Sequence, residues 1–322
     1  MSGRFVPTTL DRDAPLYVAG HRGLVGSAIW RQLEGSGFSN LIGRTSAELD
    51  LKNREAVFAF FEEQKPTTVV LAAAKVGGIL ANSTYPVDFL SENLQIQVNV
   101  LDAALAHGVQ RVLFLGSSCI YPKLAPQPIK EEYLLTGHLE PTNDAYAIAK
   151  IAGILQIQAV RKQYGLPWIS AMPTNLYGPG DNFSPQGSHV LPALIRRYDE
   201  ARRDGTGTVT NWGSGSPRRE FLHVDDMAAA CVHLLENYDG PDQVNVGTGE
   251  DSTIREIAEI VAEAVGFTGV TEWDTSKPDG TPQKLLDVNK LRDSGWQAKI
   301  GLQAGITSTV EWYRAHTGAL RT

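Results

Sequence analysis

The stretch from Leu16 to Leu33 limits the fold more than any other. Leu16-Tyr17-Val18-Ala19 is a short, wholly apolar run that breaks into Gly20-His21-Arg22-Gly23-Leu24-Val25-Gly26. Apolar residues then recur at helical spacing through Leu24, Ala28, Ile29 and Leu33. A strand that turns through glycines into a helix aims the helix's first N–H groups at the sheet edge, where they can hold a pyrophosphate. The spacing is GxxGxxG rather than GxGxxG, and three glycines in a turn are commonly structural, so context has to carry the reading. That context is further apolar runs at Leu41-Ile42, Thr68 to Ala72 and Val112 to Leu115. Amphipathic segments separate them, around Arg54 to Glu63, Pro86 to His107 and Ala145 to Tyr164. Short buried strands alternating with helices make a parallel sheet covered on both faces, an α/β Rossmann-type doubly wound architecture.

The texture changes after Pro173. Gly, Pro, Ser and Asn crowd residues 178–188, and a second such stretch, Trp212 to Pro217, precedes Phe221-Leu222-His223-Val224-Asp225-Asp226. Asp225 is placed to cap a helix running to Leu235, and a later helix spans Thr253 to Val265. The expected division is a Rossmann domain from 1–177 and 217–241, with a smaller C-terminal α/β substrate domain from 178–216 and 242–322. The 322 residues have room for this. With 29 basic and 36 acidic residues the net charge is −7, which gives no general attraction to nucleic acid. Two cysteines cannot staple a chain this long and read as reduced thiols. No run is long and apolar enough for a membrane span, and residues 1–17 lack the apolar core of a signal peptide. A soluble cytoplasmic protein without a metal is expected.

In this fold an acid at the end of the second strand holds the ribose 2′-hydroxyl of NAD. Here the place reads Ile42-Gly43-Arg44-Thr45-Ser46, without a carboxylate. Arg44, with Thr45 beside it and Arg22 in the glycine turn, suits a 2′-phosphate instead, so NADP is the expected cofactor. Both arginines as solvated surface residues is the plainer alternative.

Tyr146 and Lys150 stand four residues apart in one helical segment and so share a face. An ammonium near a phenol stabilises phenolate and brings it toward useful acid–base chemistry. Ser117 or Ser118, just past a strand, can offer a hydroxyl to the same carbonyl. A surface tyrosine beside a solvated lysine is the commoner meaning of such a pair, and its company with the glycine turn is what argues otherwise.

These features resemble the extended short-chain dehydrogenase/reductases acting on nucleotide sugars. More narrowly they resemble the branch that epimerises and reduces GDP-4-keto-6-deoxy-D-mannose. The matching stretches are Gly116-Ser117-Ser118-Cys119-Ile120-Tyr121-Pro122-Lys123, Glu140 to Asn143, Met172 to Gly180, Ser188 to Leu194, Arg219 to Asp226 and Lys277 to Val288. The resemblance implies that Ser117 and Tyr146 bind the 4-keto oxygen, with Tyr146 as proton donor. Lys150 would hold the nicotinamide ribose and lower the Tyr146 pKa. Leu115, Gly116, Ser117 and Ser118, with Pro173, Thr174, Asn175 and Leu176, would line the nicotinamide, and His189 would lie within reach of the cofactor.

A ketone at C4 acidifies the hydrogens at C3 and C5, and inversion needs a base on one face of the sugar and an acid on the other. Cys119, two residues past Ser117, is placed as base, and His189, in the Gly/Ser/Asn-rich crossover, as acid; the family assigns such a pair. By residue type alone, a lone cysteine is more often a core residue, as expected for Cys231, and a loop histidine a surface group. For the nucleotide end, Arg197, Arg219 and Lys284 are candidates for phosphates or sugar hydroxyls, Trp212 for stacking or packing, and Asp279 by family pattern. Leu90, Leu94, Val98, Leu101 and Leu105 are expected to bury against the sheet, and the resemblance implies a homodimer through the two long helices. A 4,6-dehydratase needs an acid where Ser118 and Cys119 stand, a 4-epimerase usually retains NAD, and a non-catalytic NADP sensor tends to lose the tyrosine or lysine.

Overall fold

Every residue of the first strand, β1 (Leu16–Ala19), is buried, and alternate residues enter different cores. Tyr17 and Ala19 pack on one side with Phe61, Leu101 and Ile154. Leu16 and Val18 pack on the other with Ile29, Leu33 and Met227. A strand with apolar groups on both faces is stable only between two helical layers. The computed structural model describes residues 10–317 except Gln186 and Pro278, so the first nine residues, part of the cytoplasmic expectation, lie outside the described residues.

After β1 come α1 (Leu24–Gly35), β2 (Leu41–Ile42), α2 (Arg54–Gln64), β3 (Thr68–Leu71), α3 (Ile79–Thr84), α4 (Pro86–Ala106) and β4 (Arg111–Leu115). Then follow α5 (Asp144–Tyr164), β5 (Ile169–Pro173), β6 (Asn175–Tyr177), α6 (Val190–Asp204) and β7 (Thr208–Trp212). The chain continues through β8 (Arg218–Arg219), β9 (Phe221–His223), α7 (Val224–Asn237), β10 (Val244–Val246), β11 (Ser252–Thr253) and α8 (Ile254–Val265). It closes with β12 (Val270–Asp274), β13 (Gln283–Lys284), α9 (Asn289–Asp293) and α10 (Leu302–Ala315). A parallel six-stranded sheet runs in the order β10-β5-β4-β3-β1-β2. The order reverses between β1 and β3, which opens a crevice at their C-terminal ends.

A third core joins α6, α8 and α10 through Leu194, Ile195, Tyr198, Val261, Ile306 and Val310. Small sheets lie beside it: β11-β8-β13, β12-β7 and β6-β9. Helix α8 starts on a reciprocal cap in which Thr253 Oγ1 accepts from the Glu256 N–H while the Glu256 carboxylate accepts from the Thr253 N–H.

Three expectations need correction. Val244–Val246, which the boundary at 242 assigned to the substrate region, pairs with β5 and completes the large sheet. Asp225 does not cap α7; the cap is His223, whose Nδ1 accepts from the Asp225 N–H at 3.2 Å, leaving Asp225 in the first turn and paired with Arg31. Of the five apolar residues expected to bury along α4, only Leu101 does; Leu90, Leu94 and Leu105 are half-buried and Val98 is 38 % exposed. Asn93, Gln97 and Asn99 take the inward positions, because each finds a backbone carbonyl there: Phe89 and Lys75, Ala149, and Leu51 and Lys52 respectively. Cys231 is a fully buried core residue, as expected.

Candidate active site

The crevice begins at the glycine turn. Gly20 has φ of +84°, and a Cβ on Gly26 would sit 2.1 Å from the Gly20 carbonyl oxygen, so the turn closes only on glycine. Helix α1 starts at Gly23 with no side-chain cap and no acid in its first turn, which leaves its leading N–H groups for an anion. His21 packs its ring against Trp30, with centroids 5.4 Å apart, and its buried Nδ1 has no partner among the described residues. Leu24 and Val25 are half-buried on the first turn.

Arg44 follows β2, half-buried, donating to the Gly43 carbonyl at 2.9 Å and lying over the Phe60 ring. Neither Arg44 nor Arg22 enters an ion pair among the described residues. A carboxylate the sequence reading missed stands close by. Glu48 accepts from the Thr45 N–H at 2.7 Å and its hydroxyl at 2.8 Å, and these bonds, with the two arginines, hold its pKa below the usual range. Thr45 has therefore already committed both donors. The missing acid at the end of β2 was the visible signal; Glu48 returns to the site through a turn.

The loop after β3 is held by Asn93, 2 % exposed, whose amide bonds both the N–H and the carbonyl of Lys75, at 2.9 and 3.0 Å. Sequence reading missed it, although a polar residue at an inward helical position was the available clue.

At the end of β4, Ser117 caps a short 3₁₀ turn, Ser118–Ile120. Its Oγ accepts from the Cys119 N–H at 3.4 Å and from the Cys119 thiol at 3.0 Å. The Tyr146 phenol lies near the same hydroxyl, which favours its ionised form. Ser117, rather than the buried Ser118, is thus the hydroxyl beside the other two groups. Lys150 is buried one turn further along α5 and donates to the Leu115 carbonyl at 2.8 Å. Burial pushes its ammonium down to about 8, with Cys119 acting against the shift. Burial, reinforced by Cys119, pushes the Tyr146 phenol well above its ordinary range, with Ser117 acting against it. The expected lowering by Lys150 is absent, because desolvation dominates and the ammonium is spent on Leu115.

Past β5, the Thr174 and Asn175 side chains both donate to the Glu220 carbonyl, at 3.3 and 2.8 Å. Pro173 and Leu176 are half-buried beside them, and Gly116 holds the ladder to Ala171. His189 caps α6 by its backbone, and its imidazole makes no hydrogen bond among the described residues. Surrounding protein lowers its pKa. The structure brings Ser117, Cys119, Tyr146 and Lys150 into one cluster, while His189, exposed at the start of α6, makes no hydrogen bond or ion pair with them.

The other cations converge from distant segments. Arg219 pairs with Lys284 across β8 and β13. Lys284 lies within Coulombic range of Arg219, Glu140 and also Cys119, as Lys150 does of Cys119. Arg197 donates to the Ala193 and Thr210 carbonyls at the long distances of 3.4 and 3.3 Å. Burial lowers the pKa of Arg197, Arg219 and Lys284, and none of them has an ion-pair partner among the described residues. Trp212 is 73 % exposed with Lys277 over its ring, which fits stacking and not core packing. Asp279 accepts from the Ser214 N–H and hydroxyl, at 2.9 and 2.7 Å, and ties its loop to the one that follows Trp212.

Comparison with known proteins bears directly on this arrangement. Residues 16–247 match the profile of the "NAD dependent epimerase/dehydratase family". The chain belongs to this family. Among its members, GDP-L-fucose synthase 1 of Arabidopsis thaliana is 60 % identical over 311 residues, covering 97 % of this chain and 96 % of its own. GDP-L-fucose synthase of Escherichia coli (strain K12) is 54 % identical over 307 residues, 92 % of this chain and 96 % of its own. A solved GDP-L-fucose synthetase from Naegleria fowleri bound to NADP superposes with a TM-score of 0.93 at 30 % identity, covering all of both chains. The glycine turn, the uncapped helix start and the β1/β3 crevice meet what a family dinucleotide requires. No described helix is long and apolar enough to cross a membrane.

Proposed function

We propose that this protein converts GDP-4-keto-6-deoxy-D-mannose to GDP-L-fucose with NADPH, by epimerisation at C3 and C5 and reduction at C4. The observation that carries the reading is the clustering of Ser117, Cys119 and Tyr146 beside the buried Lys150 ammonium, with Cys119 hydrogen-bonded to Ser117. The sequences and structure of the GDP-L-fucose synthases above support it.

Cys119 removes the proton at C3 and at C5, each carbanion being held as an enolate of the C4 ketone, and His189 returns a proton to the opposite face. A lowered imidazole pKa makes His189 a ready donor once charged. Tyr146, kept protonated by burial, gives its proton to the C4 oxygen while Ser117 orients that oxygen. Bound in the crevice, NADPH would supply the hydride to C4. Lys150 replaces charge near the phenol and is placed for the nicotinamide ribose. Gly20 to Gly26 and the start of α1 hold the pyrophosphate, and Arg44 with Arg22 the 2′-phosphate. Arg197, Arg219 and Lys284 bind the GDP diphosphate, Trp212 stacks on guanine, and Asp279 orders that loop.

A two-part division, with Val244–Val246 on the Rossmann side, and a homodimer belong to the same proposal. Val98 on α4 and Ile148 and Leu155 on α5 are exposed apolar residues on the helices expected to meet a second copy. Both cysteines are unpaired, which supports a reducing, cytoplasmic setting.

The deciding experiment incubates the protein with GDP-4-keto-6-deoxy-D-mannose and NADPH in deuterated water. Expected are loss of NADPH and a GDP-L-fucose product carrying deuterium at C3 and C5 by NMR. NADPH oxidation without inversion would make it a plain 4-reductase and remove Cys119 and His189 from the chemistry.

A further inference from the structure

Glu220 is wholly buried, lies outside the catalytic cluster, and is the acceptor on which three other chain segments meet. Its Oε1 accepts from the N–H groups of Thr248 and Gly249, at 2.7 and 2.8 Å. Its Oε2 accepts from the Leu286 N–H at 3.0 Å. Its own N–H donates to the Lys284 carbonyl at 3.4 Å, and its carbonyl receives Thr174 and Asn175. The carboxylate therefore ties the Thr248–Gly249 turn to the chain just beyond Lys284, while the Glu220 backbone meets Lys284 and the Thr174–Asn175 segment, and Arg219 precedes it directly in sequence.

Two considerations show that this is more than filler. A buried carboxylate is costly unless its oxygens are satisfied, and an apolar residue would fill the same space without that cost. The convergence of backbone donors on both oxygens is what a fixed anchor requires. The neighbouring chain is also shaped to it: a Cβ on Gly247 would lie 2.2 Å from Oε1, although Gly247 needs no unusual φ. Meanwhile β8 and β13 pair through only two residues each, Arg218 with Gln283 and Arg219 with Lys284. So short a pairing sets register weakly, and Leu286 bonding to Glu220 extends it.

We propose that Glu220 is a positioning residue whose carboxylate holds Arg219 and Lys284 in register with each other and with the Thr248–Gly249 turn, so that both cations face one diphosphate. The inference rests on the assignment of Arg219 and Lys284 to a nucleoside diphosphate made above.

The test compares the full chain with Glu220→Gln, Glu220→Ala and Gly247→Ala, titrated calorimetrically with GDP and separately with NADPH. Glu220→Gln is expected to weaken GDP by about 10-fold or more and NADPH by less than about 2-fold, because one oxygen and its backbone donors are lost on the diphosphate side. Steady-state KM for the sugar nucleotide rises by the same factor, with kcat changing far less. Gly247→Ala should reproduce this by displacing the carboxylate, and should add nothing in the Glu220→Ala background, where the space is free. GDP affinity left intact, or GDP and NADPH weakened alike, would make Glu220 a general brace and overturn the proposal. Should the Glu220 variants fail to fold, Gly247→Ala carries the same readouts. If the unaltered protein binds no GDP, the substrate reading fails separately. The clamp is then judged by hydrogen exchange at Leu286, Thr248 and Gly249, expected at least about 10-fold faster together in Glu220→Gln, and overturned if unchanged.

Discussion

The two ends of the cleft are built by different means. At the reaction end, Ser117 and Cys119 lie in one tight turn and Tyr146 and Lys150 one helical turn apart on α5, so local geometry does most of the assembly. At the nucleotide end, Arg197, Trp212, Arg219, Asp279 and Lys284 arrive from separate segments and depend on short sheets, a shared carboxylate and loop-to-loop bonds. The first end should tolerate little chemical change but little distortion either. The second should lose function by small, graded steps, through affinity more than through turnover.

The largest effect is expected from Tyr146→Phe, which removes the proton donor and should slow C4 reduction by roughly 10²–10⁴-fold with NADPH affinity nearly unchanged. Deuterium exchange at C3 and C5, read by NMR without reduction, should survive better; equal losses would erase the division of labour within the reaction end. Cys119→Ser reverses the pattern. Exchange should fall by about 10²-fold or more while NADPH still binds, and unaltered exchange would exclude Cys119 as base.

Arg44→Ala carries the comparison to the cofactor end. NADPH should weaken by about 10- to 100-fold and NADH by less than about 3-fold, as fluorescence titration will show; parallel losses would mean that Arg44 does not read a 2′-phosphate. Lys150 allows a check by pH. With its folded-state pKa brought down to about 8, it is charged below that pH and neutral above it. kcat/KM should therefore fall about 10-fold per unit beyond pH 8, and Lys150→Arg should move that limb upward. A limb that stays in place would assign it to another group. Smallest is Trp212→Ala, expected to raise KM for the sugar nucleotide roughly 10-fold by loss of base stacking, with kcat held. A fall in kcat instead would tie this exposed ring to the chemistry and blur the contrast between the two ends.

How legible each part was follows the same division. The strand–glycine–helix opening, β3, β4 and the long helices could be read because burial on two faces leaves short apolar runs and helices leave a 3.6-residue period. The small strands β6 to β9 and β11 to β13 could not, since two to five residues carry no period of their own. Helix α4 misled, because a polar side chain that reaches a backbone carbonyl can be buried as readily as a leucine, and Asn93, Gln97 and Asn99 do so. The cap of α7 was misplaced by two residues because a histidine nitrogen can do the work of an aspartate.

By itself, the amino-acid sequence determined the doubly wound sheet, the glycine turn, the absence of an acid after β2 and the Tyr146–Lys150 face, all of which depend on neighbours in the chain. Only the tertiary structure decided that Ser117 is the hydroxyl beside Cys119 and Tyr146, that burial keeps Tyr146 protonated, that Lys284 stands near Cys119 as well as Arg219, and that Glu220 joins three other segments. Proton affinity and charge proximity are set by whatever surrounds a group in space, and residues far apart in the chain carry no local pattern that reports their meeting.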